Sequence, residues 1–144
     1  IPREMHTGSA IEIQLKDSAP LIVTGKRSRI LNSESAALLN AVKYLAGIPD
    51  EIDVLSPIII ESITNLKGKL CLVDTSLNVK EVLDALAVSA VFNPNATKCI
   101  SVLTELEGCE MHTTHLTDRG CELALKELGL NLTTDARIPN INNW

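Results

Sequence analysis

The sequence predicts a small α/β (α+β) domain: a β-hairpin, a run of four helices, then a βαβ unit, together forming a small mixed sheet packed by helices. Three observations carry this reading. Near the start, Ile11, Ile13 and Leu15 alternate with Glu12 and Gln14, the period of a half-buried strand. Five later segments set apolar residues at helical spacing between capping residues and Gly or Pro stops. The last third runs strand, helix, strand within about thirty residues, the length of a βαβ unit.

The hairpin joins residues 11–15 to residues 21–24 through Lys16-Asp17-Ser18-Ala19-Pro20, whose polar and Pro chemistry suits a turn. The first helix spans 34–46, with Ala37, Leu38, Ala41, Val42 and Leu45 on one stripe, Asn32 or Ser33 as cap, and Gly47 then Pro49 as stop. The second begins with Ser56 as N-cap and Pro57 at the first helical position, and runs to about Leu66, just before Gly68. The third covers 79–92; Asn78 with Glu81 three residues on resembles a capping box, and Val79, Val82, Leu83, Leu86 and Ala90 form its buried face. Asn93-Pro94 ends it and opens the fourth, 94–107, which closes at Gly108. Residues 109–116 then read as a strand, 118–128 as a helix capped by Thr117 with Leu116 and Cys121 as a staple, and 130–133 as a strand after Gly129. These last two strands should be parallel, with a right-handed crossover.

Length and composition bound the function. The 144 residues, 45% hydrophobic and 22% charged, suit one domain spanning 1–144. Only 2% are aromatic, namely Tyr44, Phe92 and Trp144, so the chain lacks the rings that stack bases. Thirteen Lys and Arg against eighteen Asp and Glu give a net charge of −5, which repels phosphate backbones; nucleic acid is not an expected partner. Apolar runs such as Ile58 to Ile60 and Leu70 to Val73 fall far short of the roughly 18 residues of a membrane span, so no membrane partner is expected. The first residues, Ile1-Pro2-Arg3-Glu4, lack an initiator Met and a signal-peptide pattern, which suggests a processed or partial chain in the cytoplasm. The four cysteines, Cys71, Cys99, Cys109 and Cys121, read as reduced and mostly buried. Residues 135–144 form a polar, Asn-rich stretch suited to an extended tail.

The densest cluster of reactive groups is Cys109, Glu110, His112, His115, Asp118 and Cys121. Cys109, His112, His115 and Cys121 offer zinc-type ligands, but on a strand Cys109 and His115 face one way and Glu110 and His112 the other. His112 and Thr114 would stand together near the end of a parallel strand, where α/β proteins bind ligands; His112 then suits a general base or hydrogen-bond donor. The helix N-terminus after Thr117 offers an anion site. The plainer reading makes His112 a hydrogen-bonded residue without catalytic duty. Lys26, Arg27, Ser28 and Arg29 form a second candidate, three cations before a helix N-terminus that would hold phosphate or carboxylate; the plainer reading is a solvated charge run. His6 near the start reads as a loop residue. There is no Walker A loop, no Gly-x-Ser-x-Gly elbow and no His-Glu-x-x-His helix.

Several separated blocks occur in a telling order: Val23-Thr24-Gly25-Lys26-x-Ser28, Asn40-Ala41-Val42-Lys43-Tyr44-Leu45-Ala46-Gly47-Ile48-Pro49-Asp50, and Leu55-Ser56-Pro57. Glu81-Val82-Leu83-x-Ala85-Leu86, Asn93-Pro94, Gly108-Cys109-Glu110-x-His112-x-Thr114 and Leu128-Gly129-x-Asn131-Leu132-Thr133 continue them. Together they resemble the C-terminal domain of the bacterial proteins known as domain of unknown function 1846. The resemblance implies a piece of a longer cytoplasmic protein whose upstream α/β region carries the phosphate-loop-like stretch, so a nucleotide would belong there and no cofactor to this chain. Some members bear the label ATP-dependent zinc protease, whose motifs are missing from these residues. The expectation is a C-terminal accessory domain that contributes polar residues to an interdomain cleft. A metal- or His-assisted hydrolase and a homo-oligomerisation module are the alternatives.

Overall fold

A computed structural model describes residues 7–70 and 74–135. Cys71, His6 and the expected tail beyond Asp135 lie outside the described residues. Within them, β1 (Gly8–Ile13) and β2 (Leu21–Lys26) form the hairpin; α1 (Ser33–Ala46), α2 (Pro57–Lys69), α3 (Val79–Ser89) and α4 (Pro94–Ser101) follow; β3 (Glu110–Thr113), α5 (Arg119–Glu127) and β4 (Asn131–Thr134) complete the fold. The sheet order is β2-β1-β3-β4. β1 is antiparallel to both β2 and β3, while β3 and β4 are parallel, as the βαβ reading requires.

The period-two pattern of the strands puts one face of the sheet under the helices. Ser9, Ile11, Ile13, Met111 and Thr113 are buried there and join Leu38, Leu77, Leu86, Leu106 and Leu125 in one core. The other face carries Thr24, Ala10, His112 and Thr133 in one register row, and Ile22, Glu12, Glu110 and Asn131 in the next. A core of Leu, Ile, Val and Ala packs at helical spacing without rings, which accounts for the low aromatic content.

Local chemistry sets most boundaries. The Asn32 side chain accepts from Ser35 N at the start of α1, and Gly47 ends it in the left-handed region at φ 72°. The capping box of α3 forms in full: Asn78 accepts from Glu81 N, and Glu81 accepts from Asn78 N.

Other boundaries differ from expectation, each for a physical reason. Gly25 and Lys26 belong to β2 rather than to the loop after it, because the strand end is held by pairing with Gly8 and Ser9. α2 continues through Gly68 to Lys69, since a glycine costs a helix only about 1 kcal/mol. α3 stops at Ser89 and the chain turns through Val91 and Phe92, because Asn93 precedes a proline and leaves the helical region. α4 ends at Ser101, whose hydroxyl turns back to donate to Lys98 O at 2.7 Å, and a 3-10 turn, Leu103–Leu106, follows. The strand expected over 109–116 pairs only over Glu110–Thr113. α5 is capped by Asp118, which accepts from Cys121 N at 2.9 Å, not by Thr117; Leu116 stays half exposed and outside the core.

Gly25 fixes how close α1 comes to the sheet. A Cβ placed on it would meet the backbone N of Ala37 at 2.1 Å, so only glycine admits the helix at this distance. Gly25→Ala is therefore expected to cost at least about 2 kcal/mol, read from denaturant midpoints at unchanged m. Gly68→Ala meets nothing within 4 Å and is expected to stabilise by roughly 0.5–1 kcal/mol. Equal effects from the two substitutions would contradict the close contact.

Candidate functional site

The uncovered face of the sheet gathers part of the expected chemistry. His112 projects from β3 with its side chain about half exposed; Nδ1 lies 2.9 Å from Thr133 Oγ1 and Nε2 lies 3.2 Å from Asp135 Oδ1. The strand register makes this arrangement, because Thr133 on β4 is the parallel partner of His112, and Asp135 follows immediately. Thr133 Oγ1 in turn donates to Met111 O at 3.3 Å. A ring bonded at both nitrogens has its orientation fixed; because the Thr133 hydroxyl donates to Met111 O, Nδ1 donates to Thr133, and with Nε2 on the Asp135 carboxylate neither nitrogen is left free as a general base. Thr114 is exposed on the same side, where its Oγ1 accepts from Gly8 N at 2.9 Å.

Lys26 pairs in register with that same Gly8. Two strand spacings therefore separate the Lys26 and Thr114 backbones, about 10 Å. These residues share an open face rather than a closed pocket. A shallow depression of about 170 Å³ lies beside His112, lined also by Ala10, Glu12, Ile22 and Glu110. Glu12 and Glu110 are direct cross-strand partners, and like charges so placed destabilise a sheet.

The rest of the basic run disperses. Arg27 pairs with Asp74 at 2.9 Å, Ser28 Oγ accepts from Ile30 N and Leu31 N in a local turn, and Arg29 stands at a separate groove beside α1 and α2. Although burial works to raise it, the Asp74 carboxyl is held below its usual range by Ser76 and Arg27. Only Lys26 of the four joins the open face.

The four zinc-type candidates do not come together either. Cys109 and Cys121 are buried, His112 is on the uncovered face, and His115 turns inward. Burial pushes the Cys109 thiol up, and pushes that of Cys121 up to about 12, so both are neutral thiols that pack. Among the described residues, no three His, Cys, Asp or Glu side chains gather as a metal would need. The α5 N-terminus, expected to offer an anion site, is closed by the carboxylate of its own cap, Asp118.

Sequence reasoning missed one buried polar chain. Glu34, 2% exposed in the first turn of α1, accepts from Ser33 Oγ at 2.8 Å and meets His115 Nε2 at 3.1 Å; Ser33 Oγ lies 3.0 Å from Ser9 Oγ. His115 Nδ1 is buried without a partner. The chain of contacts ties β1, the start of α1 and the loop after β3 together. Its one sequence signal was an acidic residue in the first turn of an otherwise apolar helix face, and nothing local connects that residue to His115. Burial works to raise the Glu34 pKa, but the hydrogen bond and charge of His115, the Ser33 hydroxyl and a backbone hydrogen bond outweigh it, so the carboxyl lies below its ordinary value.

Comparison with known proteins finds one matching family model, "Domain of unknown function DUF1846, C-terminal", over residues 3–144. A UPF0371 protein of Clostridioides difficile is 39% identical over 137 residues, covering 94% of this chain and 27% of its own length. One of Fusobacterium nucleatum is 40% identical, with 96% and 27% covered, and one of Corynebacterium aurimucosum is 44% identical, with 92% and 26% covered. The chain thus spans about a quarter of the length of these relatives.

The Glu34 arrangement carries a pH signature. Its folded pKa lies below the unfolded value of 4.5, so the stabilisation is complete above that value and is lost as pH falls through the folded pKa. Glu34→Gln is expected to lower stability by about 1–3 kcal/mol at neutral pH and to remove this contribution to acid sensitivity. Parallel denaturant titrations of the two proteins between neutral and acid pH check it. A gap that stays constant to low pH would show that the carboxylate charge plays no part.

Proposed function

This chain belongs to the DUF1846 family as its C-terminal domain, and from that premise we propose that it is an accessory domain. It packs against the upstream part of a longer cytoplasmic polypeptide and contributes polar groups to a cleft between them. The observation that carries the reading is His112, held at both ring nitrogens by Thr133 and Asp135 on a sheet face that none of the described helices covers. Lys26 and Thr114 share that face and supply a cation and a hydroxyl. The relatives are about four times the matched length, which supports a large neighbouring region in the same polypeptide as what covers the face. Ligand sites concentrate at such domain boundaries.

The chemistry on the face suits a supporting role. His112 would meet a ligand by exchanging its Asp135 contact for a hydrogen bond, and Lys26 offers charge to an anion. Neither partner of His112 is a serine or cysteine nucleophile: Thr133 and Asp135 orient it. A nucleotide, as substrate or effector, would be held by the upstream α/β region, with these residues reaching its exposed end. The opposed Glu12 and Glu110 carboxylates fit the same picture, since a cationic group from the covering domain would relieve their repulsion.

Two measurements test the proposal. The isolated chain is expected to hydrolyse no nucleotide, whereas a full-length UPF0371 protein carrying this domain should lose at least tenfold in nucleotide binding or turnover on His112→Ala, with its thermal midpoint unchanged. Hydrolysis by the isolated chain, abolished by His112→Ala, would overturn the accessory role. Full activity of the substituted full-length protein would overturn the role of His112.

A further inference from the structure

A second concavity lies on the helical side of the domain, away from His112. It is a groove of about 530 Å³ between α1, α2 and the chain at 29–31 and 53–55, inside the roughly 300–1,000 Å³ range of ligand pockets. Leu31, Leu39, Val54, Leu55 and Ile60 make its walls. The groove exists because α2 is only loosely seated: none of its residues is fully buried.

Two polar residues of its lining are incompletely satisfied. Lys43 is 7% exposed, and its Nζ donates to Asp50 O at 2.9 Å; no carboxylate pairs with it among the described residues. An ammonium has three donors, and a buried charge without a counter-charge is unfavourable. Thr64 Oγ1, from α2, is shut off from solvent with no hydrogen-bond partner. Both residues are among those lining the groove, which puts a cation without a carboxylate partner and a hydroxyl without a partner into its wall.

We propose that this groove binds a single-chain amphiphile with one carboxylate. The alkyl chain lies along the Leu39, Val54 and Ile60 walls, and the carboxylate accepts from Lys43 Nζ and Thr64 Oγ1. Asp53 and Glu61, exposed residues that also line the groove, oppose a polyanion, which selects a monoanion over a phosphate. Arg29, also exposed in the lining, partly offsets them. This site is independent of the role assigned to His112.

Isothermal titration of the 144-residue chain with decanoate and with decan-1-ol, each kept below its aggregation concentration, tests the proposal. Decanoate should bind at one equivalent and at least tenfold more tightly than the alcohol. Lys43→Met should reduce the acid to the affinity of the alcohol, and Thr64→Val should weaken the acid severalfold. Ile60→Trp, on the loosely seated α2, should fill the groove and abolish both with circular dichroism unchanged. His112→Ala should leave every titration unaltered. Failure of the wild-type chain to bind either probe saturably, equal affinity for acid and alcohol, or undiminished binding by folded Ile60→Trp would each overturn it. Should Lys43→Met not fold, the acid-to-alcohol ratio and Ile60→Trp still decide.

Discussion

α1 sits closer to β1 and β2 than any side chain at position 25 would allow, and the layout of the domain follows from that seating. Gly25 removes the side chain that would otherwise hold the helix away, and Ala37 and Ala41 present small, fully buried surfaces toward the core. The same helix begins on Asn32, so its first turn brings Ser33 and Glu34 down beside Ser9 and His115. A buried carboxylate is tolerable there because it sits in the positive field of a helix N-terminus and is hydrogen-bonded on more than one side. One helix thereby fixes the sheet, the inner layer of the core and the loop after β3. Leu77 extends the order outward: its backbone exchanges hydrogen bonds with Ile30 and Asn32, and its carbonyl also accepts from Ser35 Oγ.

Covering one face so closely leaves the other face without a described helix, and that asymmetry sorts the polar side chains of the strands. Residues of even number in β1, β2 and β3 point away from α1. His112, Lys26 and Thr114 fall on the outward side by parity alone, whereas His115, one residue past that alternation, turns inward to Glu34. Two histidines three residues apart thus have unlike tasks. One is held by Thr133 and Asp135 at an exposed surface, and the other secures the interior. No described helix is long and apolar enough to cross a membrane, and the apolar content goes into this core.

Much of the fold was legible because its signals are local. Asn32, Gly47, the Asn78–Glu81 box, Pro57, Pro94 and Gly129 act on backbone groups within four residues, and the order of strand, helix and strand after Gly108 could be read directly. The errors came where tertiary partners overrule local preference. Gly25 and Lys26 are poor strand residues, but cross-strand pairing with Gly8 and Ser9 holds them in β2. Thr117 and Asp118 both suit a cap, and only the observed geometry assigns the task to Asp118.

The site was legible to a lesser degree. His112 could be chosen from strand parity, yet its partners Thr133 and Asp135 depend on which strand pairs with β3 and in what register. The chain of Ser9, Ser33, Glu34 and His115 joins three separate segments and leaves no periodic trace. Lys26 through Arg29 looked like one basic cluster, but strand alternation, the Asp74 ion pair and a turn send its side chains to different places. Adjacency in sequence does not amount to convergence in space.

The proposed completion of the open sheet face by the rest of a longer polypeptide sets how accessible His112 is. Carbethoxylation by diethyl pyrocarbonate, followed site by site with mass spectrometry, measures this most directly, with His115 as an internal reference because only 15% of its side chain is exposed. His112 should react readily in the isolated chain and be protected at least tenfold in a full-length UPF0371 protein, while His115 stays slow in both. Equal reactivity of His112 in the two proteins would contradict the claim.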